Sequence, residues 1–138
     1  GFINESNSRK NEKLVNSISA EASKASLNLT ISSKFFRALG DPTRLKILNY
    51  LQKGEKNVGE LVKLVETGQG RVSDHLCCLK SCGLVSTRRD GKFIYYKIAD
   101  EHVRDLLKIA QDIISNNAEQ IWSCTRVNAL PEDGQAQI

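Results

Sequence analysis

Two of the four cysteines, Cys78 and Cys82, are four residues apart in a stretch whose pattern predicts a helix. On a helix this spacing puts two side chains on one face, with their Cβ atoms about 5–6 Å apart. Two thiolates so placed can share one soft metal ion. Cys77 points about 100° away and cannot join them on a regular helix. Because cysteine is also a common small buried side chain, spacing alone leaves a metal site and a structural role both open.

The basic residues are concentrated in the segment that holds these cysteines. Residues 69–97 contain six Lys and Arg against two Asp, so this window carries the whole net charge of +4. A concentrated basic patch is typical of a nucleic-acid surface, since phosphate contacts dominate that affinity. An ordinary solvated basic face is the alternative.

The elements around the cysteines predict a helix-turn-helix followed by a hairpin. Helices are expected over residues 58–65 and 71–82, joined by a turn at 66–70 and closed by Gly83. Strands are expected over 84–88 and 93–98, around an Asp-Gly turn at 90–91. Such a basic hairpin is a wing. The residues expected to contact DNA are those at the start of the second helix and on the wing: Gln69, Arg71, Ser73, Asp74, His75, Arg88, Arg89 and Lys92.

Further helices complete the expected architecture. Apolar spacing predicts helices over 11–25 and 29–39, and Asp41 with Pro42 is a strong start for another that ends before Gly54. A helix over about 100–117 has one apolar face suited to a dimer interface. The fold class predicted is mainly α with a small β-hairpin, a dimeric winged helix-turn-helix. We expect a flexible segment at 1–10, the DNA-binding and dimerisation domain at 11–118, and a C-terminal tail at 119–138.

Several classes of protein are disfavoured by the same sequence. No apolar run approaches the roughly 20 residues that span a bilayer, and the N-terminal residues lack a signal-peptide pattern. A cytoplasmic protein with no membrane partner is therefore expected. The two histidines belong to no nucleophile–base or metalloprotease pattern, and no phosphate loop is present, so an enzyme is not expected.

The chain resembles the ArsR/SmtB family of metal-sensing winged-helix repressors over about residues 32–118. The resemblance is carried by Ala-Leu-Gly-Asp-Pro-Thr-Arg-Leu-Lys-Ile-Leu at 38–48 and Val-Ser-Asp-His-Leu at 72–76. Leu-Lys at 79–80, Gly-Leu-Val at 83–85 and Gly-Lys at 91–92 continue it. It implies a homodimer that binds an imperfect palindrome of double-stranded operator DNA and represses transcription.

The family's sensor sites can be compared with this sequence one at a time. Asp100 and His102 match the first half of the long-helix zinc site, but Ile113 and Asn116 occupy its second half. The paired-cysteine site of the first helix of the helix-turn-helix has no cysteine near residues 61–64. Leu-Cys-Cys-Leu-Lys-Ser-Cys-Gly-Leu at 76–84 instead resembles the CmtR-type cadmium and lead sensors. That resemblance implies three thiolate ligands: Cys78, Cys82 and Cys124.

By the same resemblance Cd(II) or Pb(II) is the expected inducer, releasing the apo dimer from DNA, and no organic cofactor is expected. As(III), Sb(III), Hg(II) and Zn(II) remain alternatives because thiolate ligands also suit them. Two other hypotheses stay open. One is a redox-sensing repressor with a reversible disulfide, and the other is a metal-independent module with structural cysteines.

Overall fold

The structure, a computed structural model, describes residues 8–13 and 22–127. After a short helical stretch at 8–13, its elements are α1 (Ala22–Leu39), α2 (Pro42–Leu51), β1 (Lys56–Asn57), α3 (Val58–Val65), α4 (Gln69–Ser81), β2 (Val85–Asp90), β3 (Phe93–Ile98) and α5 (Glu101–Ser123). The helix predicted over 11–25 lies largely outside the described residues. The helix predicted over 29–39 is confirmed and begins earlier, at Ala22.

Two compact units divide the chain between Arg37 and Ala38. In the first unit α1 leaves large apolar side chains exposed, among them Leu29, Ile31 and Phe36. The rings of Phe35 and Phe36 meet edge to face with centroids 5.4 Å apart. These exposed side chains give α1 an apolar surface within its own unit.

The core of the second unit is formed by the apolar faces of α2, α3 and α4. Its largest fully buried side chains are Ile47, Leu48, Leu51, Leu61, Val72, Leu76, Leu79 and Leu84. Burying such side chains contributes about 1.5–3 kcal/mol each to folding. Val72, Leu76 and Leu79, which recur at helical spacing along α4, form one fully buried stripe of that helix.

Side-chain caps set where the core helices begin. Asp41 accepts hydrogen bonds from the backbone N–H groups of Thr43 (2.9 Å) and Arg44 (3.3 Å), with Pro42 at the first helical position. Asn57 and Glu60 form a reciprocal capping box at the start of α3. The start predicted for α2 is confirmed.

The turn of the helix-turn-helix is shorter than the sequence pattern predicted. Glu66 ends α3 in the left-handed conformation (φ 53°), and α4 already begins at Gln69 rather than Arg71. Gln69 and Gly70 therefore belong to the helix. At the other end Gly83 (φ 78°) is the predicted stop, because the left-handed conformation closes helices most readily at glycine.

The wing is part of a three-stranded antiparallel sheet with strand order β1-β3-β2. The pairing of Asp90 with Phe93 leaves Gly91 and Lys92 as the turn residues, so the predicted Asp-Gly turn is wrong by one position. Gly91 has φ 64°, as a type II′ turn requires at its first central residue. Strand β1 was not predicted, since two residues are too short for a periodic pattern.

The last helix, α5, is longer than predicted. Asp100 caps its first turn, and the helix reaches Ser123 across a kink at Asn117 (φ −132°, ψ 18°). Large apolar side chains stay exposed along it, including Ile109, Ile113 and Ile114. Among the described residues, no helix combines the length and the apolar composition that crossing a membrane requires.

Candidate nucleic-acid interface and cysteine site

The first half of α4 presents a polar face to solvent. Gln69, Arg71, Ser73 and Asp74 are all exposed, while Val72 between them is fully buried. These four side chains include both donors and acceptors, as reading base edges in a major groove requires. Four of the five residues expected to contact DNA from this helix are therefore exposed.

His75, the fifth, lies against the core instead. It is 9% exposed, and its Nδ1 lies 3.2 Å from Nη1 of Arg44 on α2. A guanidinium can only donate, so Nδ1 accepts this hydrogen bond. Arg44 also donates from Nε to the carbonyl oxygen of Ala38 (2.7 Å). The side chain of His75 thus connects α4 to α2, and the expectation that it contacts DNA stays a prediction.

The three basic side chains of the wing differ in the contacts that their charged groups make. The guanidinium of Arg88 hydrogen-bonds the carboxylate of Glu55, and these bonds hold the pKa of Glu55 below its ordinary value and raise the pKa of Arg88. Arg89 is exposed and donates only a long bond, 3.3 Å, to the carbonyl oxygen of Gly91. Lys92 is exposed at the turn, with Nζ 5.5 Å from the ring centroid of Phe93.

Sequence reasoning missed Arg44 and Glu55 as residues that support this surface. Arg44 is 31 residues from His75 and Glu55 is 33 residues from Arg88. No local spacing rule links residues so far apart. The Asp-Pro-Thr-Arg block predicts a helix start and carries part of the family resemblance, and only the packing of α2 against α4 reveals the second role of its arginine.

The cysteines lie at the opposite end of α4 and at the end of α5. Cys78 and Cys82 are half-buried, Cys77 and Cys124 are exposed, and none of these four described cysteines is in a disulfide. Cys82 is the C-cap of α4, and its N–H donates to the carbonyl oxygen of Cys78 (3.0 Å). The two thiols therefore lie one helical turn apart.

A single chain does not bring Cys124 to this pair. Within the described residues, no three His, Cys, Asp or Glu side chains are grouped closely enough to hold a metal ion. Two thiols one turn apart fit a soft, thiophilic ion, and a third sulfur would have to come from another chain or from a rearranged tail. The exposed pair Asp100 and His102 (3.6 Å) likewise gathers no further ligand.

Comparison with known proteins agrees with this architecture. The family model "Bacterial regulatory protein, arsR family" matches residues 41–87, from the cap of α2 into β2. A probable mercury resistance operon repressor of Streptomyces lividans is 44% identical over 104 residues, which are 75% of this chain and 81% of that protein. The transcriptional regulator CmtR of Mycobacterium tuberculosis is 38% identical over 85 residues, 61% of this chain and 72% of that protein.

A solved structure has the same fold. It is the homodimeric winged helix-turn-helix DNA-binding domain of a possible ArsR-family regulator from Mycobacterium bovis. It is 30% identical, with a TM-score of 0.66, and the match covers 74% of this chain and 94% of that one. Fold and relatives are those of transcriptional regulators rather than enzymes, and the chain belongs to the ArsR family of bacterial regulatory proteins.

Proposed function

We propose that this protein is a metal-responsive repressor that binds operator DNA as an apo homodimer and is released when a soft ion binds Cys78, Cys82 and Cys124. The observation that carries the proposal is the layout of α4. One end of this helix presents exposed polar side chains, and the other end holds two half-buried thiols one turn apart. A ligand that moves one end must move the other, because a helix is stiff over 13 residues.

The DNA contacts are assigned to the exposed residues alone. Gln69, Arg71, Ser73 and Asp74 would face base edges and phosphates in the major groove. The wing would contact phosphate or the minor groove. In a symmetric dimer two such helices address two half-sites about one helical turn apart, hence an imperfect palindrome.

Dimerisation is supported by the apolar surface of α5. Ile109 and Ile113 are each 57% exposed and Ile114 is 43% exposed. Three large apolar side chains exposed on two successive turns of one helix are unfavourable in water and are typical of a protein interface. The homodimeric Mycobacterium bovis relative supports the same assembly.

The sensor site combines the α4 pair with Cys124. A soft ion bound there would supply a crosslink between the end of α4 and the segment after α5. Because Cys124 is exposed and ends α5, it can serve the α4 pair of its own chain or that of the partner subunit. A coupling free energy of about 1–3 kcal/mol would weaken DNA binding about 5- to 150-fold.

Cadmium and lead are the proposed inducers, and competing ions are compared in one titration. Fully reduced apo protein is titrated anaerobically with Cd(II), Pb(II), Hg(II), Zn(II) and arsenite. Thiolate-to-metal absorption reports ligation, and fluorescence of Trp122 (86% exposed) reports ordering two residues from Cys124. Cys124→Ser should loosen binding, whereas the matched exposed control Cys77→Ser should not. Tight binding unaffected by Cys124→Ser would refute the three-thiolate site.

Release from DNA is measured separately. The probe is a duplex selected from a random 30-base-pair library by the apo protein, followed by fluorescence anisotropy. Cd(II) or Pb(II) should weaken binding of the wild type but not of a Cys78→Ser/Cys82→Ser variant. Release by peroxide but by no metal would transfer the function to thiol redox sensing. Release by neither would favour a metal-independent module.

A further inference from the structure

A row of side chains crosses the sheet at the base of the wing. Arg88 of β2 pairs with Tyr95 of β3, and Tyr95 pairs in turn with Asn57 of β1. Glu55 lies two residues before Asn57. Glu55 directly precedes β1, and its carboxylate accepts hydrogen bonds from the guanidinium of Arg88, which also lies over the ring of Tyr95.

The guanidinium of Arg88 contacts three neighbouring side chains. Its Nε lies 3.0 and 2.9 Å from the two carboxylate oxygens of Glu55, and its Nη2 donates to the same carboxylate. Its guanidinium carbon lies 4.7 Å from the ring centroid of Tyr95. Nη1 also lies 3.7 Å from the carboxylate of Asp90. The pKa of Glu55 is lowered chiefly by its hydrogen bonds from Arg88, so the pair is charged at neutral pH.

A guanidinium already neutralised by a carboxylate is poorly placed to neutralise a phosphate. Releasing one condensed counterion from DNA requires a cation that is free to replace it. The fork geometry of arginine instead suits two parallel bonds to one carboxylate. Strand β1 is only two residues long, so few ladder bonds hold it against β3. The Arg88–Glu55 pair therefore fastens β2 to the chain that leads into β1 and α3.

We propose that Arg88 is a positioning residue that, through Glu55, fixes the wing against the start of the helix-turn-helix. Phosphate contact is then left to Arg89 and Lys92. This proposal rests on the proposed DNA-binding function and replaces the expectation that Arg88 itself contacts DNA.

Whether one substitution raises or lowers DNA affinity separates a phosphate contact of Arg88 from a positioning role. Glu55→Gln removes a negative charge near the DNA surface and frees Arg88. If Arg88 contacts phosphate, DNA affinity rises, because a competitor for the guanidinium is lost. If Arg88 positions the wing, affinity falls, by about 2- to 5-fold as expected for loss of one partly exposed ion pair. Glu119→Gln is the control for net charge, because it removes one negative charge at an exposed position on α5.

The test compares Glu55→Gln, Arg88→Gln, their double variant and Arg89→Gln on the selected duplex at several salt concentrations. We expect Arg88→Gln to weaken binding without changing the slope of log affinity against log salt, and Arg89→Gln to reduce that slope by about one. The double variant should bind no worse than Arg88→Gln, since both changes break the same pair. Higher or unchanged affinity in Glu55→Gln, or a slope reduced by about one in Arg88→Gln, would overturn the proposal.

Amide hydrogen exchange of the free protein separates this outcome from failure of DNA binding itself. Both Glu55→Gln and Arg88→Gln should speed exchange in β1 and β3 about 2- to 5-fold, whereas Arg89→Gln should not. Unchanged exchange in the first two variants would overturn the positioning role, whatever happens on DNA. If the wild type and Arg89→Gln have the same affinity for the duplex, and neither affinity depends on salt concentration, the proposed DNA-binding function is wrong instead.

Discussion

Replacing His75 by alanine tests whether this side chain supports the reading helix or reads DNA. The substitution removes the acceptor of a 3.2 Å hydrogen bond from the Arg44 guanidinium, at a site only 9% exposed. Hydrogen bonds to charged groups contribute about 1.5–3 kcal/mol, and the lost imidazole also leaves unfilled space. We therefore expect the free energy of unfolding to fall by about 2–3 kcal/mol, a large part of the roughly 5–15 kcal/mol typical of a domain.

The assay is urea denaturation followed by far-UV circular dichroism at one fixed protein concentration, because unfolding of a dimer depends on concentration. The melting temperature should fall on the order of 10 °C. Ser73→Ala, on the exposed side of the same helix, is the matched control and should change the unfolding free energy by less than about 0.5 kcal/mol. His75→Gln retains an acceptor and should lose less than His75→Ala. A His75→Ala variant as stable as Ser73→Ala, yet unable to bind DNA, would refute the packing role and restore the DNA contact.

Three other substitutions test contacts that fix the ends of α3 and α4 and the base of the wing. Gly83→Ala should lower the unfolding free energy in urea by about 1–2 kcal/mol, because φ 78° is strained for alanine; no loss would contradict this. Asn57→Ala removes half of the capping box and should lower it by about 0.5–2 kcal/mol, with Asn116→Ala as the exposed comparison. Glu55→Gln should be less stable than the wild type above about pH 4.5. That difference should vanish in acid melts as the pH falls through the lowered pKa of Glu55, and a difference that grew in acid would refute the ion pair.

The helices of the second unit follow from the sequence because their signals are local. Apolar spacing and the Asp41-Pro42 start set α2, and α3 has the bounds that the pattern predicted. Gly83 ends α4 as expected. Each of these features depends on residues within one or two helical turns, so a single sequence contains the information.

What the sequence did not predict depends on distant partners. The sequence predicts the same role for His75 and Arg71, and only Arg44 on another helix decides that His75 faces inward while Arg71 stays exposed. The same holds for Glu55, whose partner lies across a sheet. The turn residues of the wing were wrong by one position because strand register depends on pairing, which no local dipeptide determines.

Backbone hydrogen bonds around Gly83 join the end of α4 directly to the wing. Leu84 N–H donates to the carbonyl oxygen of Leu79 (2.9 Å), and Gly83 N–H donates to that of Lys80 (3.1 Å). Ala99 N–H, just after β3, donates to the carbonyl oxygen of Leu84 (3.1 Å). The end of α4 and the outer ends of both hairpin strands are thus hydrogen-bonded to one another next to Cys82. A displacement at this junction would move the end of α4 and the wing together, so we expect any contacts that the two elements make with DNA to be lost in one step.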